Sequence, residues 1–282
     1  MRFQSSLAIL VILLLSACAT GPTRQFVKTG LGYDARIPSV KRIAIITDVC
    51  LQRDVLTGDR YWSIKDSRAA EQYMTESAKT YMISKGYEVV FLEAPLVGAF
   101  KNQNESFKFA LEEGGEVREM HPPLFVAEGL ATEQAYRQSL MTIVPGILKT
   151  VDQISKPSSA FCCTAVDMKQ ALDVISKRTG GDAILFLIGN GIIVPTGKSV
   201  TEGIVTGAIT TALTLGMFTY SQWSVSYLDT HAALVDANTG EVLWSNSLRL
   251  KGGGFTEKDY YAEKWPKNIL YHMPSKVAEK AK

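Results

Sequence analysis

Ala183-Ile-Leu-Phe-Leu-Ile188 is an unbroken apolar run of strand length. A strand with one face in water alternates polar and apolar residues. A run with no polar residue is covered on both faces and lies centrally in a sheet. The residues before it form a helix by pattern. Asp167 can cap its start, with Gln170 placed to complete a capping box. Met168, Ala171, Leu172 and Ile175 share one face, and Gly180-Gly181 closes the helix. A helix leading into a doubly covered strand points to an α/β domain.

On the carboxyl side, Val225–Val235 and Glu241–Leu250 read as two strands of a hairpin. Val242, Trp244, Leu248 and Leu250 alternate with Glu241, Ser245, Ser247 and Arg249, and Asn246 interrupts the apolar side. Asp236-Ala-Asn-Thr-Gly240 supplies the turn chemistry between them. On the amino side, Arg42-Ile-Ala-Ile-Ile-Thr47 is a second buried strand, and Asp48–Tyr61 is polar and turn-rich. Ala69, Ala70, Tyr73, Met74, Ala78, Tyr81 and Met82 recur at helical spacing, with Asp66 as start and Gly86 as stop. Glu88–Leu92 is the next strand. Gly114-Gly115 and Pro122-Pro123 break the following stretch. Helical spacing then returns over Thr132–Ser155, where Pro145 is expected to kink or divide the helix. The expected fold class is therefore α/β. It is a single domain over 41–255, a mixed sheet with a C-terminal antiparallel hairpin, helices packed on it and a mostly helical insertion at 93–160. Residues 256–282 form a tail in which Tyr260, Tyr261, Trp265, Tyr271 and Met273 suit a short packed helix.

The amino terminus carries a different signal. Arg2 is the one charge in residues 1–17; Leu7–Leu15 is apolar, and Ser16 and Ala17 precede Cys18. A short basic region, a short apolar core and a small-residue cleavage site make an export signal. The core is shorter than the ~20 residues a spanning helix needs. Leu15-Ser16-Ala17-Cys18 resembles the lipobox of bacterial lipoproteins, which implies cleavage between Ala17 and Cys18 and acylation of the Cys18 thiol. Two acyl chains anchor well, since each buried methylene contributes about 0.8 kcal/mol. Ala19 in place of an acidic residue points to the outer membrane, with the domain facing the periplasm. Residues 18–40, with Gly, Pro and Thr and no periodicity, read as a flexible tether.

Composition narrows the function. The 46% apolar content supports a packed core. The 30 basic residues, less Arg2, stand against 28 acidic ones without forming a basic stripe, so nucleic acid is not an expected partner. Beyond Cys18, three cysteines remain. Cys50 can bridge to Cys162 or Cys163 in an oxidising compartment, or all three can stay as buried thiols. His121, His231 and His272 have no ligand spacing, and no metal or other cofactor is expected beyond the lipid on Cys18.

Four further stretches bear on chemistry. Gly191-Ile-Ile-Val-Pro-Thr-Gly197-Lys198-Ser199 approaches a phosphate-binding loop but has five residues between its glycines, so no nucleotide is expected. Asp236–Trp244 resembles one propeller repeat, but those folds need several copies. Asp229 and His231 fall on one face of their strand, an arrangement that could orient an imidazole. No nucleophile motif accompanies them, so no catalytic residue is assigned. Val200–Tyr220 has one charge, Glu202, in a Gly-, Thr- and Ala-rich apolar stretch. It suits a packed helix or covering loop. It also suits a membrane or oligomer contact through Ile204, Leu213, Leu215 and Phe218.

The lipobox, the strand Arg42–Thr47, a helix ending in Lys85-Gly86-Tyr87, a strand after Thr179-Gly-Gly-Asp182, and a hairpin bearing Asp236-x-x-Thr-Gly-Glu-Val-Leu-Trp-Ser245 together resemble a periplasmic α/β group. It includes the curli-secretion lipoprotein, the amino-terminal domain of TolB and lipoprotein activators of penicillin-binding proteins. The resemblance spans roughly 41–255. It implies a non-catalytic adaptor or assembly factor that binds envelope proteins and can form a homo-oligomer. A secretion channel of the curli type and an activator of peptidoglycan synthesis are its alternatives, and a hydrolase using His231 is a third. The curli lipoprotein builds its pore from two inserted hairpins, whereas this chain offers one candidate, Val200–Tyr220.

Overall fold

The computed structural model describes residues 28–30, 32–54, 60–154, 166–194, 226–252 and 254–276. The chain begins with β1 (Lys28–Thr29) and α1 (Tyr33–Arg36), and a 3-10 turn (Ile37–Ser39) leads into β2 (Arg42–Asp54). Then follow β3 (Arg60–Ser63), α2 (Ile64–Ser84), β4 (Glu88–Leu92), β5 (Phe107–Ala110) and β6 (Arg118–Met120). After α3 (Glu128–Ala131) and α4 (Gln134–Ile154), α5 (Val166–Thr179) leads into β7 (Ala183–Ile193). The hairpin β8 (Tyr227–Asp236) and β9 (Val242–Lys251) and the helix α6 (Lys258–Ile269) complete the described chain.

The described strands form one nine-stranded mixed sheet in the order β1-β9-β8-β7-β2-β3-β5-β6, with β4 beside β2. The apolar run of β7 sits at its centre, parallel to β2 from Ile43–Ala183 to Arg53–Ile193 and antiparallel to β8. Helices cover both faces. Ala70, Met74, Ala78 and Met82 of α2 pack with Ile43, Ile45, Val49 and Leu51 of β2 on one face. Tyr136, Leu140, Ile143 and Ile147 of α4, with Leu172 and Ile175 of α5, pack against Ala44, Ile46, Ile184 and Phe186 on the other. Residues 43, 45, 49 and 51 and residues 44 and 46 thus separate by strand period, and all are buried.

Several boundaries differ from the expected ones. The twelve described residues between Lys28 and Val40 belong to the fold rather than to a tether; β1 pairs with β9, and Ile37 and Val40 are buried in the core. β2 continues through Asp54 because Val49 and Leu51 keep alternating with polar partners. The insertion 93–160 contains the strands β5 and β6 as well as helices. α4 runs through Pro145 without division. The cap of α2 is Ser63, whose hydroxyl accepts from the Asp66 amide at 3.3 Å and donates to Asp66 Oδ2 at 2.6 Å. Gly86 takes φ +86° where that helix stops, a conformation that glycine adopts without a Cβ clash.

The core does not end at residue 255. Tyr261, Trp265 and Ile269 of α6 are buried in the α2 face of the sheet. Asn246, the polar interruption in β9, is fully buried, and its Nδ2 donates to the Ile269 carbonyl at 2.8 Å at the end of that helix. A helix terminus leaves carbonyls without partners, and Asn246 supplies one.

Candidate functional site

On one side, β2 is flanked by two different strands. Arg42–Ile45 pair with β4, and Gln52–Asp54 pair with β3. Between them the sheet is notched, and residues 94–101 fill the notch. Asp48 lies in this gap, past the end of the β4 pairing and midway along the parallel pair β2 and β7. Its Oδ1 accepts from the Gly98 amide at 2.9 Å and its Oδ2 from the Phe100 amide at 3.1 Å. Glu71, reaching from α2, accepts from the Leu96 amide at 3.2 Å. Glu93 accepts from the Ala94 amide at 2.9 Å and from the Tyr136 hydroxyl. Three carboxylates therefore hold one loop in the notch.

Register extends the polar group across the sheet. Directly opposed residues share a face, so Asp48, Ile188, His231 and Ser247 form one row and Cys50, Asn190, Asp229 and Arg249 the next. Lys101 donates to Asn190 Oδ1 and lies 4.3 Å from the centroid of the Trp62 ring. Arg249 makes a bidentate pair with Asp229, with Nη2–Oδ2 at 2.7 Å, and stacks 5.2 Å from the Tyr227 ring centroid. His231 Nδ1 is 2.7 Å from Ser247 Oγ.

Burial dominates the electrostatics. It pushes the Asp48 carboxyl from 3.8 up to about 6, against the opposing pull of the Gly98 and Phe100 amides and of Lys101. It raises Glu71 well above the usual carboxyl range and raises Cys50 likewise. It lowers Lys101, and it lowers His231 to about 4, helped by the Arg249 charge. His231 is thus a neutral imidazole at pH 7. The His231–Ser247 contact has the partners of a base and a nucleophile; His231 is buried and Ser247 is half-buried. What the band visibly does is position chain: Asp48, Glu71 and Glu93 fix the loop, and Asp229 fixes Arg249.

A second polar assembly clasps the amino-terminal segment. Asp236 is fully buried and accepts from the Asn238 and Thr239 amides, both at 2.9 Å, closing the hairpin turn. It also accepts from Arg36 Nε at 2.7 Å. Glu241 takes the Gly32 amide. The Asp236-x-x-Thr-Gly-Glu motif is therefore a turn and a receptor for residues 32–36 at once. Asp236→Ala should cost roughly 2–3 kcal/mol, because two turn amides and the Arg36 guanidinium lose a charged acceptor. Arg36→Ala should cost less, since Arg36 is 38% exposed and its neighbours can hydrate. Urea unfolding of the two variants checks the order; equal losses would mean that the turn amides contribute nothing.

The residues singled out from sequence are not all gathered in one place. Asp229 and His231 share a face as expected, beside Asn190, Ser247 and Arg249. Cys50 is a free buried thiol with Sγ 3.8 Å from Asp48 Oδ1. Cys162 and Cys163, Ala17 and Cys18, and Ile204, Leu213, Leu215 and Phe218 lie outside the described residues. Gly191, the first glycine of the phosphate-loop-like stretch, is inside β7, opposite Leu228; a Cβ there would sit 2.4 Å from the Tyr227 carbonyl. Among the described residues no group of three or more His, Cys, Asp or Glu is placed to hold a metal ion. No described helix is long and apolar enough to cross a membrane. Asp48, Lys101, Asn190 and Arg249 were missed by sequence reading, although Asp48-Val-Cys50-Leu-Gln52 alternates with strand period and could have announced the first of them.

No family model matches the chain, and no curated protein matches it. Among solved structures it is similar to the PelC dodecamer from Paraburkholderia phytofirmans, at 9% identity, covering 85% of this chain and 91% of that one, with a TM-score of 0.30. It is also similar to lipoprotein GNA1162 from Neisseria meningitidis, at 12% identity, covering 76% of this chain and 83% of that one, with a TM-score of 0.26.

Proposed function

We propose that this protein is a lipid-anchored envelope lipoprotein, held at the outer membrane through acylated Cys18, whose α/β domain acts as a non-catalytic adaptor for protein partners. The observation that carries this reading is the short join between the lipobox and the fold. Ten residues after Cys18 the chain is already paired to β9, and Asp236 and Glu241 clamp it at Arg36 and Gly32. An anchor so joined holds the domain close to the bilayer and raises its effective concentration for a membrane complex. The sheet edge at β6 suits a protein partner: its three residues are exposed, and Leu111, Val117 and Met120 present apolar surface on that hairpin. The clamped carboxylates and the neutral, buried His231 supply no accessible acid–base pair, which favours the adaptor over the hydrolase.

Intact mass of the membrane-extracted chain should show acyl chains on Cys18, and Cys18→Ser should move the protein into the soluble periplasmic fraction. Membrane retention of Cys18→Ser would sink the anchor. Light scattering of the native detergent extract then separates two forms of the reading. A monomer or dimer fits an adaptor, and a ring of many copies fits a secretion or assembly channel.

A further inference from the structure

We propose that the carboxyl end of the sheet, marked by Ile193, Val194, Tyr227 and Lys251, is the surface that faces the lipid bilayer. This rests on the lipid-anchor reading and adds an orientation to it. The direction follows from register. Lys28 lies opposite Ser245 and Thr29 opposite Trp244, so β1 runs toward the amino end of β7. Continued backward from Lys28, the line of β1 points along β9 toward Lys251. Lys28 stands six residues, or about 20 Å, short of the level of Lys251. The ten residues from Cys18 can span at most about 35 Å. Such a span can carry Cys18 at most about 15 Å past the carboxyl end of the sheet, enough to seat acyl chains in a bilayer lying across that end. To reach the amino end, the chain must double back on β1 itself.

A second feature leaves from the same place. The apolar stretch 200–220 is joined to the fold through Val194 and Ser226. These two are tied together, with the Val194 amide donating to Ser226 Oγ at 2.9 Å, and the Gly252 amide donates to the Ser226 carbonyl at 2.9 Å. This clasp sits at the ends of β7, β8 and β9, beside Ile193, Tyr227 and Lys251. The line of β1 therefore points toward the same end at which the most apolar internal stretch of the chain joins the fold. The opposite end is closed by the tight turn at Asp236–Gly240, whose tip residue Asn238 is exposed.

The test uses the full acylated chain in vesicles of phosphatidylethanolamine and phosphatidylglycerol, with Cys162 and Cys163 changed to serine. A fluorophore is attached at Lys251→Cys or at Asn238→Cys, both exposed positions, separated by about 30 Å along the strands. Quenching by nitroxide carried on lipid headgroups should be several-fold stronger at Lys251→Cys. Equal quenching, or stronger quenching at Asn238→Cys, overturns the orientation while leaving the anchor intact. A chain that carries no acyl group on Cys18 and does not float with the vesicles overturns the anchor, and the orientation with it.

Discussion

Trp265→Ala should cost about 3–5 kcal/mol, the range for emptying a large buried aromatic site. Set against the 5–15 kcal/mol typical of whole domains, that is a large part of the stability. Trp265 has no exposed surface. It lies 6.0 Å from the Tyr261 ring, centroid to centroid, in the layer that α6 shares with α2 and the sheet. Removing it opens a cavity bounded by the sheet, where relaxation is limited. Trp265→Phe should cost much less. Among the described residues the buried indole N–H has no hydrogen-bond partner, so a smaller apolar ring gives up contact area but also removes an unsatisfied donor. Denaturant unfolding with unchanged slope and a lower midpoint for alanine, and a midpoint near the parent for phenylalanine, is the expected pair of results. Equal, small losses for both would mean that α6 is an appendage rather than part of the core.

That helix shows what a sequence does and does not disclose. The aromatic residues Tyr260, Tyr261 and Trp265 stand at helical spacing and mark a packed face, but the partner that fixes the helix end is Asn246, a polar residue in β9 that reads as a defect in an otherwise clean alternation. Its amide reaches across to the Ile269 carbonyl. The central elements were legible for a simple reason. β9 and α2 show a periodic apolar face, β7 is an unbroken apolar run buried on both faces, and period and run length are local properties. The length of β2 was legible too, had the alternation through Leu51 outweighed the polar side chains between. The short strands β3, β5 and β6 pair with one another at the sheet margin, and three or four residues carry little periodicity.

The polar assemblies were hidden for a different reason. Asp236 and Arg36 are 200 residues apart in the chain, and Asp48 reaches a loop 50 residues on. A carboxylate that accepts backbone amides looks, in sequence, like any solvated acid. The segment before β2 was hidden on the same account: among its described residues Ile37 and Val40 are the buried apolar anchors, and it is also held by Asp236 and Glu241, which sequence pattern does not connect to it.

Asp48 and His231 should drive stability in opposite directions across the same pH interval. Asp48 takes up its proton at about 6 in the fold, against an ordinary 3.8, because burial penalises its charge. The fold then binds that proton more tightly than the unfolded chain does, so this group's contribution improves as pH falls from 6 to 3.8 and is least favourable above 6. The shift corresponds to about 3 kcal/mol. His231 is lowered from 6.5 to about 4 by burial and by Arg249. The unfolded chain binds this proton first, so the stability of the neutral buried ring is present above 6.5 and is lost as pH falls toward 4, again by about 3 kcal/mol. The other buried acids move with Asp48, so the whole-protein curve does not isolate either group; differences from single variants do. Relative to the parent, Asp48→Asn should lose ground as pH is lowered from 6 to 4. His231→Gln should gain ground over that interval. Urea unfolding of the three proteins at pH 4, 5, 6 and 7 measures both differences. If the two share a sign, burial does not control these groups, and water reaches the polar band.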